Sequence, residues 1–106
     1  MDPRFELARQ GESAVLHVRG DLDIATEDTA VGIVSSVLAA DPPPAVLVLD
    51  LSEVVFMDSS GLRALLRMHN RHGSSVRLGP VSTVVERLLA LTGTAEVFGS
   101  DGDSEG

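Results

Sequence analysis

No cysteine occurs anywhere in the chain, so disulfide frameworks, thiol chemistry and thiolate metal sites are all excluded. Tryptophan and tyrosine are also missing, and the only aromatic side chains besides histidine are three phenylalanines. The core must therefore be aliphatic, and the stacking platforms that bases or sugars need are poorly supplied. All eight basic residues are arginine, so the lysine that a phosphate-accepting aspartate of the receiver type would want is absent. His17, His69 and His72 form neither an H-x-x-x-H nor an H-E-x-x-H pattern, and no metal centre is expected. Excess positive charge is missing as well. Sixteen acidic residues against eight basic ones give a net charge of −8, which argues against nucleic acid or an anionic membrane as partner and for a basic one. No segment approaches the length of a membrane span, and Met1-Asp2-Pro3-Arg4 has no apolar run behind it to make a signal peptide. The expectation is a cytoplasmic protein without a cofactor.

What the chain does contain is 106 residues with 43% apolar side chains, enough for one domain that buries roughly two-thirds of its unfolded surface. Residues 5–9 and 13–19 flank Gln10-Gly11-Glu12 and read as a hairpin, with His17 on its polar face. Gly20-Asp21-Leu22-Asp23 breaks the strand, and Thr26 with Glu27 and Asp28 looks like a helix start. Ala30, Ile33, Val34, Val37 and Leu38 make one helical stripe, ended by Asp41-Pro42-Pro43-Pro44. Residues 46–51 are predicted as a central strand buried on both faces, with Asp50 a turn or edge carboxylate. From Gly61 the period turns helical, with Leu62, Leu65, Leu66 and His69 on one side and Arg63, Arg67, Asn70 and Arg71 on the other. Gly73 closes that helix, 76–78 form a short strand, and Gly79-Pro80 turns the chain. Thr83 and Glu86 have capping-box spacing before a third helix striped by Val84, Val85, Leu88 and Leu91. Residues 95–98 are predicted as a last edge strand, and 99–106 as an acidic, disordered tail. The order is β-β-α-β-α-β-α, an α/β domain with a single mixed sheet of about four or five strands and helices packed on it.

Function concentrates at the junction Asp58-Ser59-Ser60-Gly61, after the apolar Val54-Val55-Phe56-Met57. Serine and aspartate are ordinary helix starters, and one of the two serines is expected at the cap or in the first turn. The row is richer than a cap needs. A helix N-terminus also favours an anion, and Arg63 lies four residues after Ser59, in reach of a phosphate there. A hydrolase reading is weak: G-x-S-x-G is absent around both serines, and His69 is two to three turns away. No catalytic residue is assigned.

Gly20-Asp21-Leu22-Asp23, Val48-Leu49-Asp50-Leu51, Phe56-Met57-Asp58-Ser59-Ser60-Gly61-Leu62, Val81-Ser82 and the run from Glu86-Arg87-Leu88 to Thr92-Gly93 together resemble STAS domains. The likeness is nearest to bacterial anti-sigma factor antagonists of the sporulation and stress-response type, and it spans residues 5–98, giving a STAS domain over 1–98. It implies partner switching. The unphosphorylated antagonist binds an anti-sigma factor that is also a serine kinase and so frees the sigma factor. Phosphorylation at the serine directly after the aspartate, here Ser59, releases the complex, and a metal-dependent serine phosphatase reverses the step. Helical position alone does not choose between Ser59 and Ser60. The resemblance further implies partner contacts at Asp23 and Asp58, with the 20–23 loop beside Ser59; Ser60, Gly61 and Arg63 are added as candidate partner contacts, although Arg63 and Arg67 read first as solvated face residues. A STAS subunit of a lipid-transporting ABC system is the alternative, and serine rather than threonine at position 59 favours the antagonist.

Overall fold

The computed structural model describes residues 2–102, with side chains through residue 98. Strand β1 (Phe5–Gln10) pairs antiparallel with β2 (Ser13–Leu22) across the Gly11 turn. Helix α1 (Glu27–Leu38) then carries the chain across to β3 (Val46–Met57), which lies parallel to β2. Helix α2 (Ser59–His72), a short 3-10 turn (Gly73–Ser75) and β4 (Val76–Val81) follow, with β4 parallel to β3. Helices α3 (Thr83–Thr92) and α4 (Ala95–Gly102) complete the described chain. The four strands form one mixed sheet in the order β1-β2-β3-β4, as expected for the α/β class.

Alternation along the strands sets the layers. Ala14, Leu16 and Val18 on β2 and Leu47, Leu49 and Leu51 on β3 face a single aliphatic core. Their neighbours Val15, His17, Val46, Val48 and Asp50 are only half-buried, so β3 is not enclosed on both faces as its apolar run predicted. The opposite sheet face instead carries cross-strand polar pairs. His17 lies 3.0 Å from Asp50 there, and Arg19 reaches Glu6 and Glu53 at 2.8 and 3.1 Å.

Both central strands run further than their sequences predict. β2 continues through Gly20 to Leu22, and β3 continues through Ser52-Glu53 to Met57. Two register shifts against β2 absorb the extra residues of β3. Asp50 supports the first by accepting from the Ser52 N–H at 3.0 Å and the Ser52 hydroxyl at 2.7 Å, bonds that pull its carboxyl below the usual range. β4 likewise runs through Gly79-Pro80 rather than turning there. It is an edge strand, where a proline's missing donor is tolerated, and a side chain at position 79 would meet Val48 at 2.7 Å.

The helices differ from expectation in detail. Ser82, one residue before the predicted start, caps α3 by accepting from the Val85 N–H at 3.3 Å. Val85 and Leu89 are the buried positions of that helix, leaving Val84 and Leu91 exposed. Residues 95–98 are helical and not an edge strand. The spacing of buried Thr94 and Phe98 is one helical turn, and Phe98 packs edge-on against His69 of α2 with ring centroids 5.2 Å apart. Of the predicted tail, residues 99–102 continue α4, and 103–106 lie outside the described residues. No helix among the described residues is long and apolar enough to cross a membrane.

Candidate functional site

The extension of β2 and β3 brings the junction to one corner of the sheet. Leu22 pairs with Met57 at the carboxyl ends of the two parallel strands, so Asp23 and Asp58 each begin the loop that leaves this corner. Contact is close. A Cβ placed on Gly61 would lie 2.2 Å from the Leu22 carbonyl oxygen and 2.8 Å from the Met57 side chain. Only glycine lets the first turn of α2 rest against the end of β2, which brings Leu22 against Gly61, two residues after Ser59.

Asp58, and neither serine, is the N-cap. Its Oδ1 accepts from the backbone N–H groups of Ser60 and Gly61 at 2.9 and 3.2 Å, and its carbonyl accepts from Leu62 N–H at 3.0 Å. Two of the donors that would cradle an added anion are therefore occupied by the protein's own carboxylate. The two serines then separate by environment: Ser60 is 8% exposed, whereas Ser59 is exposed in the first turn.

The Asp23 loop is held by Thr26, which is fully buried at the N-cap position of α1. Its hydroxyl does not cap the helix. It accepts from the Asp23 N–H at 2.9 Å and donates to the Asp21 carbonyl at 3.1 Å, while the Asp23 carboxylate accepts from Ala25 N–H at 3.0 Å. Ile24, at the tip of this loop, is 73% exposed, and Val55 and Phe56 beside the junction are exposed too. A shallow groove of about 220 Å³ runs from Met57 along Val84, Arg87, Leu88 and Leu91 of α3. The corner thus combines exposed apolar side chains with acids.

Arg63 does not face a vacancy beside Ser59. Its guanidinium grips Glu27 of α1 with two 2.7 Å hydrogen bonds, and Arg67 joins them, 2.9 Å from Glu27 and 2.8 Å from Asp28. Glu27 is 5% exposed. The hydrogen bond from Arg63, with that from Arg67 and the two positive charges, overrides the effect of burial and pulls its carboxyl down to about 2. Glu27 had only the look of a first-turn acid. Nothing local in the sequence announces a partner on another helix, although a pair of arginines four residues apart on one face of α2 is the trace such a partner leaves.

Four strands with this crossover, closed by an Asp-capped helix that presents one exposed serine, define a STAS domain, and the chain belongs to that family: residues 5–99 match the family model described as "Mlab, STAS domain". Among individual proteins, the anti-sigma-F factor antagonist RsfB of Mycobacterium tuberculosis is 34% identical over 87 residues, covering 80% of this chain and 70% of that one. The crystal structure of an anti-sigma factor antagonist from Mycobacterium paratuberculosis superposes with a TM-score of 0.77 at 25% identity, over 89% of this chain and 80% of the other. Phosphorylated SpoIIAA, a Bacillus cell fate determinant, shares the fold with a TM-score of 0.61 at 20% identity, over 84% and 83% of the two chains.

Proposed function

We propose that this chain is an anti-sigma factor antagonist switched by phosphorylation of Ser59. Unphosphorylated, it binds an anti-sigma factor that is also a serine kinase, and the sigma factor is freed. In the reverse sense, the Ser59 hydroxyl gives up its proton, Oγ takes the γ-phosphoryl of ATP, and ADP leaves. A serine phosphatase hydrolyses the ester and restores binding. These events would take place in the cytoplasm, and the chain itself acts as a binding module with no catalytic role.

The observation that carries this reading is the contrast at the junction, where Ser59 is exposed and Ser60 is 8% exposed. A kinase must reach the hydroxyl that it modifies. The 34% identity to RsfB supports the partner class. The binding surface in this reading is Asp23, Asp58 and Ser59 with the exposed Ile24, Val55 and Phe56. Buried Ser60 and Gly61 contribute by shaping that surface from beneath, and the exposed, ion-paired Arg63 contributes beside it.

Electrostatics favours release over refolding. A phosphoserine adds about −1.5 to −2 charge at neutral pH. At a separation of about 6 Å, unit charges repel by roughly 0.7 kcal/mol in water-like surroundings, a load that a folded domain tolerates. Desolvating the same charge against a partner, or meeting like charge there, costs several kcal/mol and weakens binding by orders of magnitude. Incubation with ATP and anti-sigma kinases encoded in the same genome, followed by mapping of the phosphate, tests the assignment. One phosphate at Ser59 is expected, with the melting curve nearly unchanged and anti-sigma affinity lost; transfer that persists in Ser59→Ala overturns it.

A further inference from the structure

Arg63 stands one helical turn after Ser59, and helical side chains lean toward the N-terminus. In an isolated α2, a phosphoryl group on Ser59 and the Arg63 guanidinium would form an ordinary exposed pair. Here Arg63 already has a partner. Glu27 takes two of its N–H groups at 2.7 Å, and the Glu27 side chain is 6% exposed while that of Arg63 is 55% exposed.

We propose that Glu27 is the positioning residue of the Ser59 switch: by holding Arg63 on α1 it keeps that cation off a phosphoryl group at Ser59, whose charge then stays uncompensated toward the partner. This rests on Ser59 being the acceptor. The competition is unequal for a structural reason. An exposed ion pair one turn apart on a helix is worth about a factor of two in equilibrium. Pulling Arg63 away would leave Glu27 Oε1 without the Arg63 bond, an unmet buried acceptor that disfavours the exchange by roughly five- to a hundredfold. Arg67 serves Glu27 through Oε2 and Asp28 through the same amine, so Oε1 takes its bond from Arg63. The cap completes the effect, because Asp58 already occupies the Ser60 and Gly61 N–H groups. A phosphoryl group at Ser59 would find the Ser60 and Gly61 N–H groups taken and the Arg63 guanidinium anchored to α1 through Nε and Nη2.

The test uses full-length protein with phosphoserine installed at position 59 by genetic encoding, titrated by phosphorus NMR. In the wild-type background the phosphate is expected to titrate near or above the ordinary value of about 6. Glu27→Gln should free Arg63 and lower that value by about half a unit, a threefold change in proton affinity, and adding Arg63→Gln should restore it. Arg63→Gln alone should leave it unmoved, and this arm decides the matter if Glu27→Gln fails to fold. A rise with Arg63→Gln alone, or no shift with a folded Glu27→Gln, overturns the proposal. Since no kinase is involved, a failed phosphotransfer assay would sink the acceptor assignment without touching this result, and an unshifted titration would sink the withholding of Arg63 alone.

Discussion

The two ends of α2 are anchored by different physics. At the N-terminal end Asp58 caps the helix, Gly61 lies against the Leu22 carbonyl, and Arg63 and Arg67 are ion-paired to Glu27 and Asp28. At the C-terminal end the anchors are softer: the His69 ring on Phe98, and His72 Nε2 3.2 Å from the Ser35 hydroxyl. Charge-assisted bonds and a backbone contact hold position more tightly than ring edges do. The difference places the exposed serine on the more tightly anchored end, where a covalent change would alter the surface and leave the framework in place.

The largest effect that would break this asymmetry is Gly61→Ala. A methyl group there would lie 2.2 Å from backbone oxygen, and backbone cannot move aside as a flexible side chain can. A loss of about 3 kcal/mol or more is expected, on the order of 15 °C in Tm. Gly73 at the other end meets no atom within 4 Å of an added Cβ, but its φ of +58° with ψ of −134° lies outside the left-handed basin, so Gly73→Ala should cost backbone strain of about 1–3 kcal/mol and no clash. Thermal melts of the two variants side by side check the contrast, and equal losses would refute it.

Asp58→Ala comes next. It removes both cap bonds from the Ser60 and Gly61 N–H groups, and about 1 kcal/mol should go with them. If Asp58 also touches the anti-sigma factor, affinity will fall by more than this loosening explains. Asp58→Asn, which caps comparably but lacks the charge, separates the two: stability is retained and affinity still drops.

Much of the frame was legible because it depends on local pattern. The α1 stripe ends at Pro42-Pro43-Pro44, and Ala14, Leu16 and Val18 alternate in β2. The extended carboxyl ends of β2 and β3 were not legible. Ser52-Glu53 and Gly20 look like strand breaks, and only pairing between the strands turns them into bulges. The site was half legible. Its position after Met57 could be read, but whether Asp58 or a serine would cap could not, since all three are good caps. Arg63 was read as available to a phosphate because Glu27, its partner, lies 36 residues earlier, and chain proximity carries no trace of such a contact. The buried spacing of Thr94 and Phe98 was hidden in a short segment that fits strand and helix equally.

The smallest expected effect is a difference in pH response between the two ends. Glu27 stays ionised in the folded protein down to about 2, whereas an unfolded chain protonates it near 4.5. Its contribution is therefore complete above about pH 5 and is lost as pH falls through the window toward 2. His72 behaves differently: burial, with Arg71 beside it, pushes its imidazole below the usual 6.5. The unfolded chain then takes up a proton that the folded protein resists, so stability declines as pH falls below 6.5 and the penalty is complete once pH passes the folded value. Denaturant melts at about pH 7, 5.5 and 3 in wild type, Glu27→Gln and His72→Gln resolve the two. His72→Gln should flatten the slope that sets in below pH 6.5, visible between 7 and 5.5, and Glu27→Gln the slope below 5. Should Glu27→Gln flatten the upper limb instead, the ionised clamp on α1 would not be what holds the serine end of α2.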